Sequence, residues 1–252
     1  MVGNQGETEV LPGGVRSGER TLPFCCLGVH REGRQWEPTG FTTKGIMTPY
    51  ASRTGTRTTL AALKAAGWGL LVSATGVQSR EGFDVWCLDN GAWTAHQKGT
   101  EWNADLFVKL CHKLGDGAQF VVVPDIVGGG LDSLQLSLSW LPRLDHVAQR
   151  RLIAVQDGMV PNDVRQYLNK RVGIFVGGST EWKLETLRSW GCLARETGAY
   201  LHVGRVNSQR RIALCQDAGA DSFDGTSVTC FPKTLKTLDV AVRQQCLFGG
   251  IE

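Results

Sequence analysis

The chain has 252 residues, of which 42% are apolar, and a formal net charge of +3. This length and apolar content suit one large globular domain, and the small positive charge permits an anionic partner without requiring one. No apolar run approaches the roughly 18 residues of a membrane span, and the first residues lack the apolar core of a signal peptide, so we expect no membrane partner. The eight cysteines show no pairwise spacing, which is typical of reduced thiols and predicts a cytoplasmic protein.

The first 44 residues precede the regular part of the sequence. Residues 1–20 are rich in Gly and Glu and show no periodicity, which predicts a flexible N-terminal arm. Residues 21–44 carry a short apolar segment followed by turn residues, and they predict an N-terminal cap or hairpin. We therefore expect one catalytic domain over residues 21–252.

From Gly45 onward, short apolar runs alternate with amphipathic segments. Near-continuous runs rich in β-branched residues are typical of strands buried on both faces. There are eight such runs, over residues 45–51, 69–75, 84–90, 119–126, 151–157, 172–178, 200–206 and 221–227. The segments between them predict helices, except that residues 76–83 are too few for one, and residues 232–248 predict a closing helix.

Eight parallel strands with intervening helices predict a single-domain α/β fold, the TIM (β/α)8 barrel. An open, doubly wound sheet is the alternative. That alternative is disfavoured by the number of strands and because no G-x-G-x-x-G motif follows the first strand.

Acids, amides and glycines end most of the later strands, where a TIM barrel places its catalytic groups. Each group alone is typical of a turn or a helix cap, but together they indicate a site. The pattern is carried by Asp89-Asn90-Gly91, Asp125, Gln156, Gly177-Gly178, Gly204-Arg205 and Asp224-Gly225.

Paired carboxylates suggest glycosidic chemistry. Asp224 and Asp89 come from strands eight and three, so they can face each other across the mouth of the barrel. One carboxylate would attack an anomeric carbon while the other moves protons. Asp221 competes with Asp224 as the nucleophile, but it begins the strand, and an odd separation places it on the opposite face.

The other polar strand ends suit a nucleobase. Asp125 offers an acceptor and Gln156 an amide, a pair that complements the donor–donor–acceptor edge of guanine. The backbone of Gly177 and Gly178 can approach that edge, because neither residue carries a side chain.

Aromatic and basic residues complete the predicted site. Trp93 or Phe223 would stack on a base, and His202 is either a substrate contact or a core histidine. Arginines that follow strand seven are the candidates for contacts with a nucleic-acid backbone, with three weaker candidates elsewhere. These residues are Arg205, Arg210 and Arg211, and then Lys183, Lys233 and Arg53.

Six segments resemble, in order, the strand ends of the tRNA-guanine transglycosylase superfamily: LDNGAW, VPDIVG, AVQDG, FVGGST, HVGRV and DSFDGTS. The resemblance runs from about residue 45 to residue 230. It implies a pentosyltransferase without a cofactor, which forms a covalent sugar–enzyme intermediate and replaces guanine by a 7-deazaguanine. By position it implies Asp224 as the nucleophile and Asp89 as the acid/base. The residues that resemble the base-binding set are Asp125, Gln156, Gly177 and Gly178, beside Asn90 and Gly91 of LDNGAW.

The sequence departs from the tRNA enzymes after the last predicted strand. Those enzymes carry a C-x-C-x-x-C…H zinc extension, whereas the 25 residues after Ser227 contain two cysteines and no histidine. The chain is more similar to the compact branch, often encoded by phages, that inserts bases such as 7-cyano-7-deazaguanine into DNA. This implies two partners, a free 7-deazaguanine and guanine-containing DNA that is flipped or single-stranded. It implies a location in the host cytoplasm if the protein is phage-encoded; tRNA as substrate and a homodimer stay open.

Three rival functions stay open as well. A metal-dependent barrel hydrolase would use Asp89, Asp125, His202 and Asp224 as ligands, although the sequence has no H-x-H pair and its eight cysteines show no C-x-x-C spacing. A nucleic-acid-binding module would lack catalysis. A base-removing hydrolase of the same fold would resolve the covalent intermediate with water.

Overall fold

A computed structural model describes residues 46–53 and 56–244. The predicted arm at residues 1–20 and the predicted cap or hairpin at residues 21–44 lie outside the described residues.

Eight parallel strands form a closed barrel in chain order, with β8 hydrogen-bonded to β1. The predicted TIM barrel is therefore confirmed. Except for the first, the strands end earlier than predicted, because Pro124 has no N–H for the ladder and glycines such as Gly178 turn to positive φ. The strands are β1 (Thr48–Ser52), β2 (Gly69–Ser73), β3 (Trp86–Asp89), β4 (Val121–Val122), β5 (Arg151–Val155), β6 (Val172–Val176), β7 (Leu201–Val203) and β8 (Ser222–Gly225).

Helices follow most strands, and the β2–β3 connection has none, as expected from its length. None of the described helices is both long and apolar enough to cross a bilayer. The helices are α1 (Arg57–Ala65), α2 (Ala92–Gln97), α3 (Ala104–Leu114), α4 (Gly130–Trp140), α5 (Pro161–Val164), α6 (Thr180–Thr197), α7 (Gln209–Asp217), α8 (Ser227–Cys230) and α9 (Leu235–Arg243).

Three helical segments differ from the predictions. Helix α2 was not predicted; it begins where the Asn90 side chain accepts a hydrogen bond from the Ala92 N–H at 2.8 Å. The segment predicted as a helix after strand five has one α-helical turn and a 3-10 turn, because Leu168 is extended. The closing helix begins at Leu235, after a 3-10 turn that starts at Pro232.

Side-chain alternation separates an inner core from an outer one. The inner core fills the barrel with Tyr50, Leu71, Cys87, Phe120, Val122, Leu152 and Ala154. The outer core lies between the strands and the helices. Since Ser222 and Asp224 face inward on β8, Phe223 between them faces outward. It is fully buried 5.9 Å from the Trp68 ring, so the stacking role considered for Phe223 is wrong.

Candidate active site

Asp224 faces the barrel interior near the carboxyl end of β8. Its Oδ2 lies 3.0 Å from Nε2 of His202, and its Oδ1 accepts a hydrogen bond from the Arg205 N–H at 3.2 Å. Only 5% of Asp224 is exposed. Both carboxylate oxygens are therefore held by partners on β7 and on the loop after it, which fixes the orientation of the group that would act as a nucleophile.

Asp221, the competing acid, lies at the other end of the barrel. It directly precedes β8, and its Oδ2 accepts a hydrogen bond from the Leu201 N–H at the start of β7, at 2.8 Å. This contact ties two strand beginnings together, far from the loops that follow the strands.

Asp89 is the last residue of β3 and is partly buried. Burial, together with the charges of Asp224 and Asp125, raises the pKa of Asp89 to about 6, although hydrogen bonds from Ser73 and from the Gly91 N–H oppose the rise. A carboxyl group with this pKa exists in both protonation states near neutral pH. It can therefore give up a proton and take one back during a reaction.

The thiol of Cys87 shows that the two acids converge. Cys87 lies two residues before Asp89 on the same face of β3 and has no exposed surface. Burial and the charges of Asp224 and Asp89 raise the pKa of this thiol well above its usual value. Both carboxylates therefore act on the same point of the barrel interior from strands β3 and β8.

An aromatic floor and two glycines shape the space beside Asp224. The half-buried Phe175 ring on β6 stacks on His202 with 5.1 Å between ring centroids. A Cβ added at Gly204 would come within 2.7 Å of that ring and 3.4 Å of Asp224 Oδ2, whereas one added at Gly177 would stay 3.7 Å from the ring. Gly204 thus lets the Phe175 ring pack closely against the β7 backbone beside the carboxylate.

Asn90 and Asp125 join the ends of β3 and β4. The buried Asn90 amide donates to the Val123 carbonyl at 2.8 Å and to Asp125 Oδ1 at 2.7 Å. Burial raises the pKa of Asp125, and the bond from Asn90 opposes the rise. Asn90 therefore orients Asp125, and its own amide is committed to that contact and to the backbone.

Gln156 holds the loop between β4 and α4. Its Nε2 donates to the Ile126 carbonyl at 2.8 Å and to Ser133 Oγ at 2.7 Å, while its Oε1 accepts from the Gly128 N–H at 2.6 Å. Both amide protons are bound inside the protein. Contact between Gln156 and a base stays a prediction, and in this structure the side chain shapes the loop beside the site.

Gly177 and Gly178 follow the end of β6, and they differ in hydrogen bonding and in backbone conformation. The Gly177 N–H donates to the Val155 carbonyl at 2.9 Å. Gly178 has a φ of +68°, and a Cβ there would come within 2.6 Å of Asp157 and 2.7 Å of Trp182. The tight turn therefore needs glycine at 178 whatever its role toward a base.

Trp93 and Arg205 meet over the barrel mouth. The Arg205 guanidinium lies 4.2 Å from the centroid of the Trp93 ring and donates to the Gly178 carbonyl. Because Trp93 follows β3 and Arg205 follows β7, the contact joins opposite sides of an eight-stranded barrel. Trp93 is 40% exposed, so part of its surface stays open to a ligand.

The other predicted phosphate contacts divide into exposed and engaged residues. Arg210 is exposed and Arg211 half-buried in the first turn of α7, and Lys233 is exposed after α8. Arg53 pairs with Glu81 at 2.5 Å. Lys183 is almost buried, which does not suit the surface contact considered for it.

Lys183, Ser222 and Asn207 support the site and were not identified from the sequence as doing so. Lys183 Nζ donates to the Gly204 carbonyl at 2.5 Å, and burial lowers its pKa to about 8. Ser222 Oγ lies 2.7 Å from His202 Nδ1. The Asn207 side chain accepts hydrogen bonds from two N–H groups of the turn after β8, at 2.9 and 3.0 Å. Two features of the sequence could have indicated these roles. The inward–outward alternation of β8 places Ser222 on the face of Asp224, and Lys183 lies within the apolar stripe of α6.

His202 lies beneath the Phe175 ring. It has no exposed surface, and each of its ring nitrogens has a partner within the protein. Over residues 46–53 and 56–244, no group of three or more His, Cys, Asp or Glu side chains is placed to hold one metal ion. The four ligands of the rival metal-dependent hydrolase are not arranged as such a group.

Comparisons with known proteins found no match: no protein-family model matches the chain, and no curated protein matches it. The resemblance to the tRNA-guanine transglycosylase superfamily therefore stays a prediction from the strand-end motifs.

Proposed function

We propose that the chain is a transglycosylase that exchanges guanine in DNA for a 7-deazaguanine base through a covalent aspartyl–sugar intermediate. The observation that carries the proposal is the pair of carboxyl groups at one end of the barrel interior. Asp224 accepts two hydrogen bonds, while burial and neighbouring charges raise the pKa of Asp89 to about 6. One group is suited to attack and the other to proton transfer.

In the first half-reaction, an oxygen of Asp224 forms a bond to C1′ as the C1′–N9 bond of guanine breaks. The electron pair of the broken bond goes to the guanine, and protonated Asp89 supplies the proton that the leaving base needs. In the second half-reaction, Asp89 takes a proton from the incoming 7-deazaguanine. N9 of that base attacks C1′, and the bond to Asp224 breaks. The two half-reactions balance without a further reactant.

The proposed base pocket lies between Phe175 and the ends of β3 and β4. Phe175, which is half-buried and packs closely against Gly204, offers an aromatic floor. Asp125, oriented by Asn90, offers carboxylate oxygens to the N–H groups of a guanine edge. Trp93, with its exposed ring, offers a second stacking surface at the rim.

The first turn of α7 supports a polyanionic substrate. It contains Arg210 and Arg211 and no acidic residue. Positive charge near the positive end of a helix dipole is unfavourable by about 0.3–1 kcal/mol per charge, and phosphate groups would offset that cost. DNA is proposed over RNA because the motifs are more similar to the compact DNA-modifying branch.

The deciding experiment is intact-mass spectrometry of the protein mixed with a guanine-containing single-stranded DNA. We expect a species with the mass of protein plus oligonucleotide minus one guanine. Asp224→Asn should abolish it, and Asp221→Asn should retain it, because the second change is chemically identical but lies at the other end of the barrel. An adduct that persists in Asp224→Asn would refute the nucleophile assignment.

Added 7-cyano-7-deazaguanine separates the remaining functions. Incorporation into the oligonucleotide indicates transglycosylation. Release of guanine without incorporation indicates a base-removing hydrolase, and binding without release indicates a nucleic-acid-binding module. Reaction of an RNA oligonucleotide in place of DNA would indicate the tRNA-type activity.

A further inference from the structure

The inner face of β7 and β8 carries a short line of hydrogen-bonded polar side chains. Ser222 Oγ lies 2.7 Å from His202 Nδ1, and His202 Nε2 lies 3.0 Å from Asp224 Oδ2. His202 and Ser222 are fully buried. The strands are in a register that pairs these two residues directly, so the line is built into the sheet and does not depend on a loop.

The chemistry of the three groups fixes the direction of the hydrogen bonds. An ionised carboxylate only accepts, so the ring proton must lie on Nε2, where it points to Asp224. Nδ1 then carries a lone pair, and the hydroxyl of Ser222 donates to it. The other tautomer would place the Nε2 lone pair against a carboxylate oxygen, and two acceptors would face each other.

Aromatic rings hold the imidazole in this position. Phe175 stacks on it with 5.1 Å between centroids, Phe120 lies at 4.9 Å, and the Tyr50 ring lies edge-on at 6.0 Å. These rings leave no surface of the imidazole exposed. His202 therefore cannot contact a substrate directly, and any influence on the reaction acts through Asp224.

We infer that His202 is a positioning residue, which orients the Asp224 carboxylate and favours its ionised form, and that Ser222 fixes the tautomer that makes this possible. The inference rests on the proposed function and deepens it. The Nε2 proton stays on the ring throughout. It stabilises the carboxylate before attack and again when the bond from Asp224 to C1′ breaks, so both half-reactions benefit.

Other groups also act on Asp224, and a pH experiment must allow for them. Electrostatic interactions with Asp224 raise the pKa of the Cys87 and Cys215 thiols and of Asp89, and oppose the lowering of the pKa of Lys183. The Arg205 N–H binds Oδ1. His202 differs from all of these because it contacts Oδ2 and is itself held by a second hydrogen bond. Ser222 also forms a hydrogen bond with the side chain of Tyr200, so the change at His202 is the more selective of the two.

The experiment compares His202→Phe, which keeps a ring in the aromatic site but removes the donor, with His202→Gln, which keeps a donor. We expect His202→Phe to slow adduct formation by about 10²-fold, the usual effect of one lost donor to a charged reacting group. The acid limb of its pH–rate profile should move to higher pH by about one unit, because the ionised carboxylate loses its stabilising donor. His202→Gln should recover most of the rate. Phe120→Leu loosens the packing of the ring without removing a donor, and its acid limb should stay in place.

A second readout needs no substrate. In protein labelled with ¹³C-aspartate, the Asp224 carboxyl signal, assigned by its loss in Asp224→Asn, should titrate at higher pH in His202→Phe than in the wild type. Ser222→Ala keeps the ring and serves if His202→Phe does not fold; its shift should be in the same direction and smaller. Equal titration in all variants, or an equal shift in Phe120→Leu, would overturn the inference. If the wild type forms no adduct, the proposed function fails, and this titration still decides the role of His202.

Discussion

The two sides of the barrel mouth are built on different uses of polar side chains. On the β7–β8 side, Ser222 and His202 bind each other and end on the Asp224 carboxylate. On the β3–β5 side, the Asn90 and Gln156 amides bind the backbone of the neighbouring strand or loop. The hydrogen bonds on the β7–β8 side hold the Asp224 carboxylate in place. Those on the β3–β5 side hold the loops around the mouth in place.

The same contrast applies to the acids. Asp224 is surrounded by donors, whereas Asp89 on the other side lies where burial and two nearby carboxylates raise its pKa to about 6. An anion and an exchangeable proton are thus placed at one mouth by two different environments. When two carboxyl groups lie in different environments, one can act as a nucleophile while the other transfers protons within the same site.

Asp89→Asn tests the proton-transfer side and should have the largest effect. Turnover should fall by about 10²–10⁴-fold, the usual contribution of a general acid–base group. The mutant should nevertheless be more stable at pH 8 by about 3 kcal/mol, the free energy that corresponds to a rise in pKa from 3.8 to about 6. The folded wild type binds the Asp89 proton more tightly than the unfolded chain does, so its stability falls as the pH rises from about 4 through 6.

Turnover assays check the expected loss of activity. Chemical denaturation of wild type and Asp89→Asn at pH 4 and pH 8 checks the expected change in stability. The stability difference should vanish at pH 4, where both side chains are neutral. Asp84→Asn, in the exposed bend before β3, is a control away from the mouth and should change neither quantity. Loss of stability in Asp89→Asn at pH 8 would mean that Asp89 holds the fold together as an anion, and the contrast with Asp224 would disappear.

The strand order was predictable because each strand is a continuous apolar run bounded by polar residues or glycine. The structure of the connections between the strands was harder to predict. Asn90 starts helix α2 through its side chain, a local contact that no apolar periodicity signals. Seven of the eight strands also end earlier than their apolar runs do, since Pro124 and the glycines leave the ladder.

The two acids were predictable from their places at strand ends, but the contacts around them were not. His202 was left open between a substrate contact and a core residue, because the sequence does not show that Ser222 is its register partner. Gln156 was assigned to a base from its amide and from the resemblance of the AVQDG segment. The orientation of the Gln156 amide depends on its contact with Gly128, which lies 28 residues away along the chain. A local sequence pattern does not reveal such a contact.

Gly204→Ala, with Gly177→Ala as the matched control, tests whether the space beside Asp224 is used. A methyl group at 204 would lie 2.7 Å from the Phe175 ring and 3.4 Å from Asp224 Oδ2, but one at 177 makes only ordinary contacts. We expect kcat/KM to fall by about 10- to 100-fold in Gly204→Ala, as expected for a small misplacement at a reacting centre, and to change little in Gly177→Ala. An equal loss in both variants would favour a direct role of the Gly177 backbone in base binding.

The contact between Trp93 and Arg205 joins the two sides of the mouth, and its coupling energy measures how strongly they depend on each other. A double-mutant cycle with Trp93→Leu and Arg205→Met should give about 0.5–1 kcal/mol in the free energy of unfolding, the usual range for a partly exposed cation–π pair. Arg143 and Trp140 form a similar pair at 5.0 Å after α4, away from the barrel mouth. Arg143→Met should cost stability without changing kcat/KM, whereas Arg205→Met should change both, since its guanidinium also binds the Gly178 carbonyl at the rim. A coupling energy of zero between Trp93 and Arg205 would mean that the β7–β8 side and the β3–β5 side of the mouth act independently.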